Sequence, residues 1–229
     1  MIVMNYLANA LPLNNHSTGE LSDQYPNLFV PAGITFSIWG ILYILLGLYC
    51  IMQFKGNYQD RIQKTEPFFA LSCILNTLWI LCWHYEKPLL SLLVMALLLV
   101  TLIILNLQIK QLQTGIIKAI FGLYLGWICV ATIANTTAVL VYLNWSGFGI
   151  SEEIWTIIMI LVATIITGLS VRKLSNPYIG VAVIWAFIGI VLKRSHDYIS
   201  IVMVALFAIT IILVVTIHRY FYGKHKVKA

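Results

Sequence analysis

Long apolar runs alternate with short polar gaps along this chain. Seven runs, at 35–54, 67–85, 88–109, 119–144, 154–171, 177–192 and 198–217, contain no Lys, Arg, Asp or Glu. A bilayer core of about 30 Å is crossed by about 20 apolar residues in helical form. Lipid offers no partner for a backbone amide, so each run has to satisfy its own backbone as a helix. The pattern predicts an all-α, polytopic integral membrane bundle. With 61% hydrophobic and 10% charged residues, a water-soluble fold is excluded.

The charges in the gaps sort by sign. Lys55, Arg61 and Lys64, then Lys110 and Lys118, Arg172 and Lys173, and the tail Arg219, Lys224, Lys226 and Lys228 make up 11 of the 14 basic residues. The alternate gaps are the leader 14–34 and the turns 84–87, 144–153 and 193–197. They hold only Lys87, Lys193 and Arg194, with six of the eight acids. The positive-inside rule assigns the first set, and the C-terminus with it, to the cytoplasm. Net charge thus reports topology, and no nucleic-acid partner is implied. Lys193-Arg194 is discordant. It either snorkels at a helix end or follows a re-entrant segment.

Met1–Leu13 is apolar but too short to span, since thirteen residues at about 1.5 Å rise cover about 20 Å. It reads as the last half of a first helix, which makes eight helices. No basic n-region precedes it, so a cleaved signal peptide is not expected, and further apolar residues upstream of Met1 are.

Polar residues inside the spans come next. Asn76, Asn106 and Asn135 lie well within apolar runs. Asn76, Trp79 and Trp83 share a helix face by spacing; so do Trp127, Ala131 and Asn135, and the pair Trp39 and Tyr43. Such stripes can line a cavity for a flat apolar ligand. They can equally be helix–helix glue, at about 0.6 kcal/mol per buried polar contact, and composition by itself favours glue. Gly122-xxx-Gly126 offers a homodimer face or, more commonly, close packing within one bundle. Trp145, Trp155 and Trp185 read as interface anchors, His84 as an exposed loop-edge residue, and 218–229 as a basic tail on anionic headgroups. Cys50, Cys73, Cys82 and Cys129 have no disulfide or metal spacing and read as packing residues. No Asp, Glu, Lys or Arg lies inside a run, which disfavours proton coupling. No nucleotide-binding or hydrolase motif is present.

Three segments resemble a known family. Pro31-Ala32-Gly33-Ile34-Thr35-Phe36-Ser37-Ile38-Trp39-Gly40-Ile41-Leu42-Tyr43 is similar to the second-helix motif of the TspO/MBR family (tryptophan-rich sensory protein, translocator protein). Leu75-Asn76-Thr77-Leu78-Trp79, followed by Lys87-Pro88, resembles its third-helix motif and the opening of the fourth. Trp127 to Asn135 resembles its fifth-helix Trp-x-x-x-Ala-Thr-x-x-Asn.

The resemblance implies a five-helix core over 1–145, with a truncated first helix and 14–34 as a lid. A three-helix addition at 146–217 and a cytoplasmic tail at 218–229 follow. It implies a cavity for porphyrin, haem-type or sterol ligands, lined by Trp39, Tyr43, Asn76, Trp79, Trp83, Trp127, Ala131 and Asn135, with no metal and no catalytic group. It implies a multi-pass protein of the bacterial cytoplasmic membrane that binds or senses a small apolar or tetrapyrrole-like molecule. The competing functions are transport of a small apolar solute and modification of a tetrapyrrole. Two departures point to a longer branch with a different ligand: the extra helices, and Gly33 where the compact family usually carries a tryptophan.

Overall fold

Each apolar run folds as a helix. The computed structural model describes residues 1–10, 14, 16, 18–54 and 63–225. In chain order the helices are α1 (Ile2–Ala10), α2 (Thr18–Asp23), α3 (Ile38–Gln53), α4 (Glu66–His84), α5 (Pro88–Gln108), α6 (Ile116–Tyr142), α7 (Glu152–Lys173), α8 (Tyr178–Arg194) and α9 (Ile199–His225). A 3-10 turn, Gly33–Ser37, leads into α3. No strand occurs among the described residues. The fold is an all-α membrane bundle. Lys55, Arg61, Leu11–Leu13 and the last four residues of the tail lie outside the described residues.

Local chemistry sets several boundaries. Pro88 opens α5 at a position where its missing N–H costs nothing. Ser151 caps α7 by accepting from the Ile154 N–H at 3.3 Å. Glu152 and Glu153 occupy that helix's first turn and Arg172 and Lys173 its last, as the helix dipole favours. α9 continues as helix into the basic tail, to His225.

Among the described residues six helices, two of them counted with their 3-10 entries, are long and apolar enough to cross a membrane. Eight spans were expected. α1, with 9 residues, and α8, with 17, fall short of the needed length. α8 packs between α6 and α9 and leaves one stripe, Val181, Trp185, Ile188 and Leu192, exposed. Its Ile179, Ala182, Val183, Ala186, Phe187 and Ile190 are all buried. Around it, α4, α5 and α6 pack as sequential neighbours, α7 lies on α9, α3 lies on α6, and α1 and α2 lie on α4.

Small residues permit the α6–α8 contact. A side chain at Gly126 would run into the Ile179 carbonyl, and one at Gly122 into the Asn176 side chain. The glycine pair therefore serves packing within the bundle. Asn176, just before α8, ties the same helices together. Its Nδ2 donates to Asn106 Oδ1 and to the Lys118 carbonyl, both at 2.9 Å. Asn106 in turn donates to the Leu102 and Phe121 carbonyls. Lys118 is buried beside them and donates to the carbonyls of Lys110 at 3.0 Å and Ser175 at 2.8 Å. Asn106 is thus glue.

The opposite end gathers the acidic gaps. The discordant pair belongs there and is accounted for by it. Arg194 Nε donates to the Leu28 carbonyl at 3.0 Å and its Nη2 to the Asn27 carbonyl at 2.8 Å. Lys193 pairs with Asp23 at 3.4 Å. α8 runs as one continuous helix to Arg194, so the pair ends a helix and follows no re-entrant segment.

Candidate functional site

Tryptophans from three helices converge beneath the leader. α3 supplies Trp39, α4 supplies Trp79 and Trp83, and α6 supplies Trp127. Trp39 stacks near Trp79, with centroids 6.3 Å apart and planes 27° apart, and Trp79 stacks near Trp83 at 6.1 Å and 20°. Trp127 meets Trp39 edge-on at 6.1 Å. Tyr43 stacks on Trp39 at 5.7 Å, and Tyr124, fully buried, meets it edge-on at 6.4 Å. These separations lie within the range at which aromatic pairs attract.

The rings surround a cavity of about 50 Å³. Trp39, Trp79, Trp83, Trp127, Ala131 and Asn135 all line it. Val130 and Ala134 extend the α6 stripe, and Thr18, Ser22, Val30 and Pro31 of the leader form the cover. A second space of about 460 Å³ adjoins it between α1, α2 and α3, sharing Thr18, Phe36 and Trp39 as a common wall. Tyr43 and Gly40 face this outer space. Asn76 lies behind the rings, fully buried, accepting from Asn5 Nδ2 of α1 at 2.6 Å. Asn135 exchanges hydrogen bonds with Ser91 of α5 at 3.0 and 3.1 Å, so its amide holds two helices together while its side chain edges the cavity.

The indole N–H groups divide into two kinds. Trp83 donates to the Thr18 carbonyl of the leader at 3.3 Å. Trp79 and Trp127 are buried and their Nε1 atoms have no acceptor among the described residues. A buried unpaired donor carries a desolvation cost of about 1–3 kcal/mol. Two such donors on the wall of one cavity suit a ligand that brings acceptor atoms.

The leader is fixed over the cavity from two sides. Thr18 Oγ1 lies 3.1 Å from His84 Nε2, and Asn14 donates to the His84 carbonyl at 3.1 Å. His84 is fully buried, contrary to its expected exposure, because α2 lies across it. Tyr25 packs on Trp83 at 5.7 Å, and burial pushes its phenol above the ordinary value, with Glu86 adding to the shift. From the other side, the Ala32 N–H donates to the Gly189 carbonyl of α8 at 3.0 Å, and Trp185 Nε1 donates to the Thr35 carbonyl at 2.8 Å. A side chain at Gly189 would collide with Thr35 and Pro31. Trp185 spends its polar handle on the entry to α3.

A family model described as TSPO-like protein matches residues 1–218. The chain belongs to the TSPO-like protein family. The match takes in α7, α8 and most of α9, so the last helices lie within the family's extent. No curated protein and no solved structure matches the chain. In this TSPO-like chain the motifs on α3, α4 and α6 meet at one cavity. The residues that sequence reading missed there are Phe36 in the 3-10 turn before α3, Val130 and Ala134 on α6, and the leader residues that cover them. Phe36 precedes Trp39 by one helical turn, and Val130 and Ala134 lie on the Trp127 face, so spacing carried a signal for them. Nothing local marked the leader residues.

Proposed function

We propose that this TSPO-like protein is a membrane-embedded sensor that binds a flat apolar small molecule of porphyrin, haem or sterol type in the tryptophan-lined cavity. The observation that carries the reading is the pair of buried, unpartnered indole donors, Trp79 and Trp127, on a wall where aromatic rings meet the small apolar residues of α6. Rings supply stacking area; the donors select a ligand with acceptor oxygens or nitrogens at its edge.

Size supplies the sensing step. Small-molecule sites are usually about 300–1,000 Å³, and the cavity is about 50 Å³. A tetrapyrrole or sterol enters only if its walls move. Trp39 and Phe36 are the partition toward the 460 Å³ space next to it. Moving them joins the two volumes and presses on the leader. The leader is bonded to α8 through Ala32, Thr35, Leu28 and Asn27. Occupancy is thereby converted into a shift of the last helices, the part of the bundle that a five-helix core lacks. In this reading the leader-bearing end faces away from the cytoplasm.

Transport of an apolar solute is the second reading, supported by the same 460 Å³ space as a route toward the bilayer. The test is a titration of detergent-purified protein with protoporphyrin IX, haem and a sterol, followed by tryptophan fluorescence. Saturable quenching or enhancement by one class supports the proposal. No saturable response to any of the three contradicts it. Uptake of the bound class into proteoliposomes separates transport from sensing.

A further inference from the structure

A second cavity, of about 360 Å³, opens at the leader-bearing end between α6 and α7. It shares no lining residue with the tryptophan cavity, and its volume is already in the range of small-molecule sites. Trp145 and Trp155 line it, with centroids 5.1 Å apart and planes tilted by 56°. The Trp155 indole donates to the Gly147 carbonyl at 2.9 Å, which fixes that ring. The turn that carries Trp145 holds Asn144 and Phe148 at φ 50° and 55°, a backbone region disfavoured for residues other than glycine. Leu140, Val141 and Met159 form apolar walls.

Glu152 is the one charged residue on the lining. Lys193 pairs with Asp23, and Arg194 donates to the Leu28 and Asn27 carbonyls while feeling the Glu152 carboxylate only from beyond ion-pair distance, behind the larger influence of Tyr198 and Asp197. Among the described residues Glu152 makes no ion pair. A membrane-interface belt explains tryptophans at a span end. It does not require a walled space with a carboxylate on its rim.

We propose that this cavity binds a cationic ammonium group carried on an apolar or aromatic body. The Glu152 carboxylate supplies the counter-charge. Indole faces attract a cation through the ring quadrupole, an arrangement suited to ammonium groups that keep few water contacts. The apolar walls take the body. A lipid head group and a free ammonium compound present the same chemistry.

Calorimetric titration of the full-length protein in detergent, with benzyltrimethylammonium and its neutral isostere neopentylbenzene, tests the site. The cation binds saturably, and the isostere binds about fivefold or more weaker. Glu152→Gln, which keeps shape and polarity, and Trp155→Phe each weaken cation binding by a similar factor, whereas Trp79→Phe leaves it unchanged. A protein that discriminates poorly between cation and isostere, a Glu152→Gln protein that binds as the parent does, or an equal loss on Trp79→Phe overturns the proposal. Should Trp155→Phe fail to fold, Glu152→Gln and the isostere decide. In the detergent titration, competition by short-chain phosphatidylcholine but not by short-chain phosphatidylglycerol assigns the natural occupant to a lipid head group. No competition by either assigns it to a free compound, and both results keep the site. The tryptophan-cavity titration fails or succeeds independently, because its variants are on other helices.

Discussion

Single residues decide how closely the helices of this bundle approach. At Gly126 even one methyl group would overlap the Ile179 carbonyl, so the α6–α8 contact exists only because the side chain is absent. Gly126→Leu should therefore lower the thermal unfolding midpoint in detergent, at a cost of about 1–3 kcal/mol for overpacking. Gly168→Ala on α7 meets open space and should leave the midpoint unchanged or raise it, since alanine is the better helix former. Equal losses at both positions would contradict the packing assignment. The Trp127, Ala131 and Asn135 stripe was legible from spacing alone, because a helix fixes which residues share a face. The role of Asn176 was not. It lies in the gap before α8, outside every apolar run, and its partners Asn106 and Lys118 are far away in sequence. The missing acceptors at Trp79 and Trp127 were equally hidden, since an indole's partner is a property of the assembled bundle.

Among the elements, the leader is the one whose position depends on others. Its own chain contributes a six-residue helix and a 3-10 turn, and α4 and α8 hold the rest. Of its ties, the two bonds from Arg194 to backbone carbonyls outweigh the Lys193–Asp23 pair, which is largely exposed and of a type worth about 0–1 kcal/mol. Arg194→Ala should raise amide hydrogen exchange across 27–35 while α5 and α9 keep their protection. Lys193→Ala should change it little. Unaltered exchange in Arg194→Ala would mean that the leader is held by packing alone. Most helix ends were readable within a few residues, because the charge-free runs mark them; the end of α9, which continues past Ile217 to His225, was not. The central place of α8 was not read, although Ala182, Ala186 and Gly189 put small residues along one side of it. A short apolar run looks like a poor membrane span until the neighbours that shield it are known.

For the whole molecule, the sorted charges make a claim about sidedness. In a background lacking the native cysteines, single cysteines at 18–30 or 147–151 should be labelled from outside intact cells, and ones at 110–115 should not. The reverse pattern would invert the bundle. The central claim is that the tryptophan cavity receives the ligand, and the most direct measurement is a comparative titration with whichever of protoporphyrin IX, haem or sterol binds. Trp39→Ala, Trp79→Ala and Trp127→Ala are expected to lose about 1–2 kcal/mol of affinity each through lost stacking, while Trp155→Ala, equally large and at the far end of α7 from Lys173, keeps the parent affinity. Undiminished binding in the first three, or the same loss in all four, would contradict it.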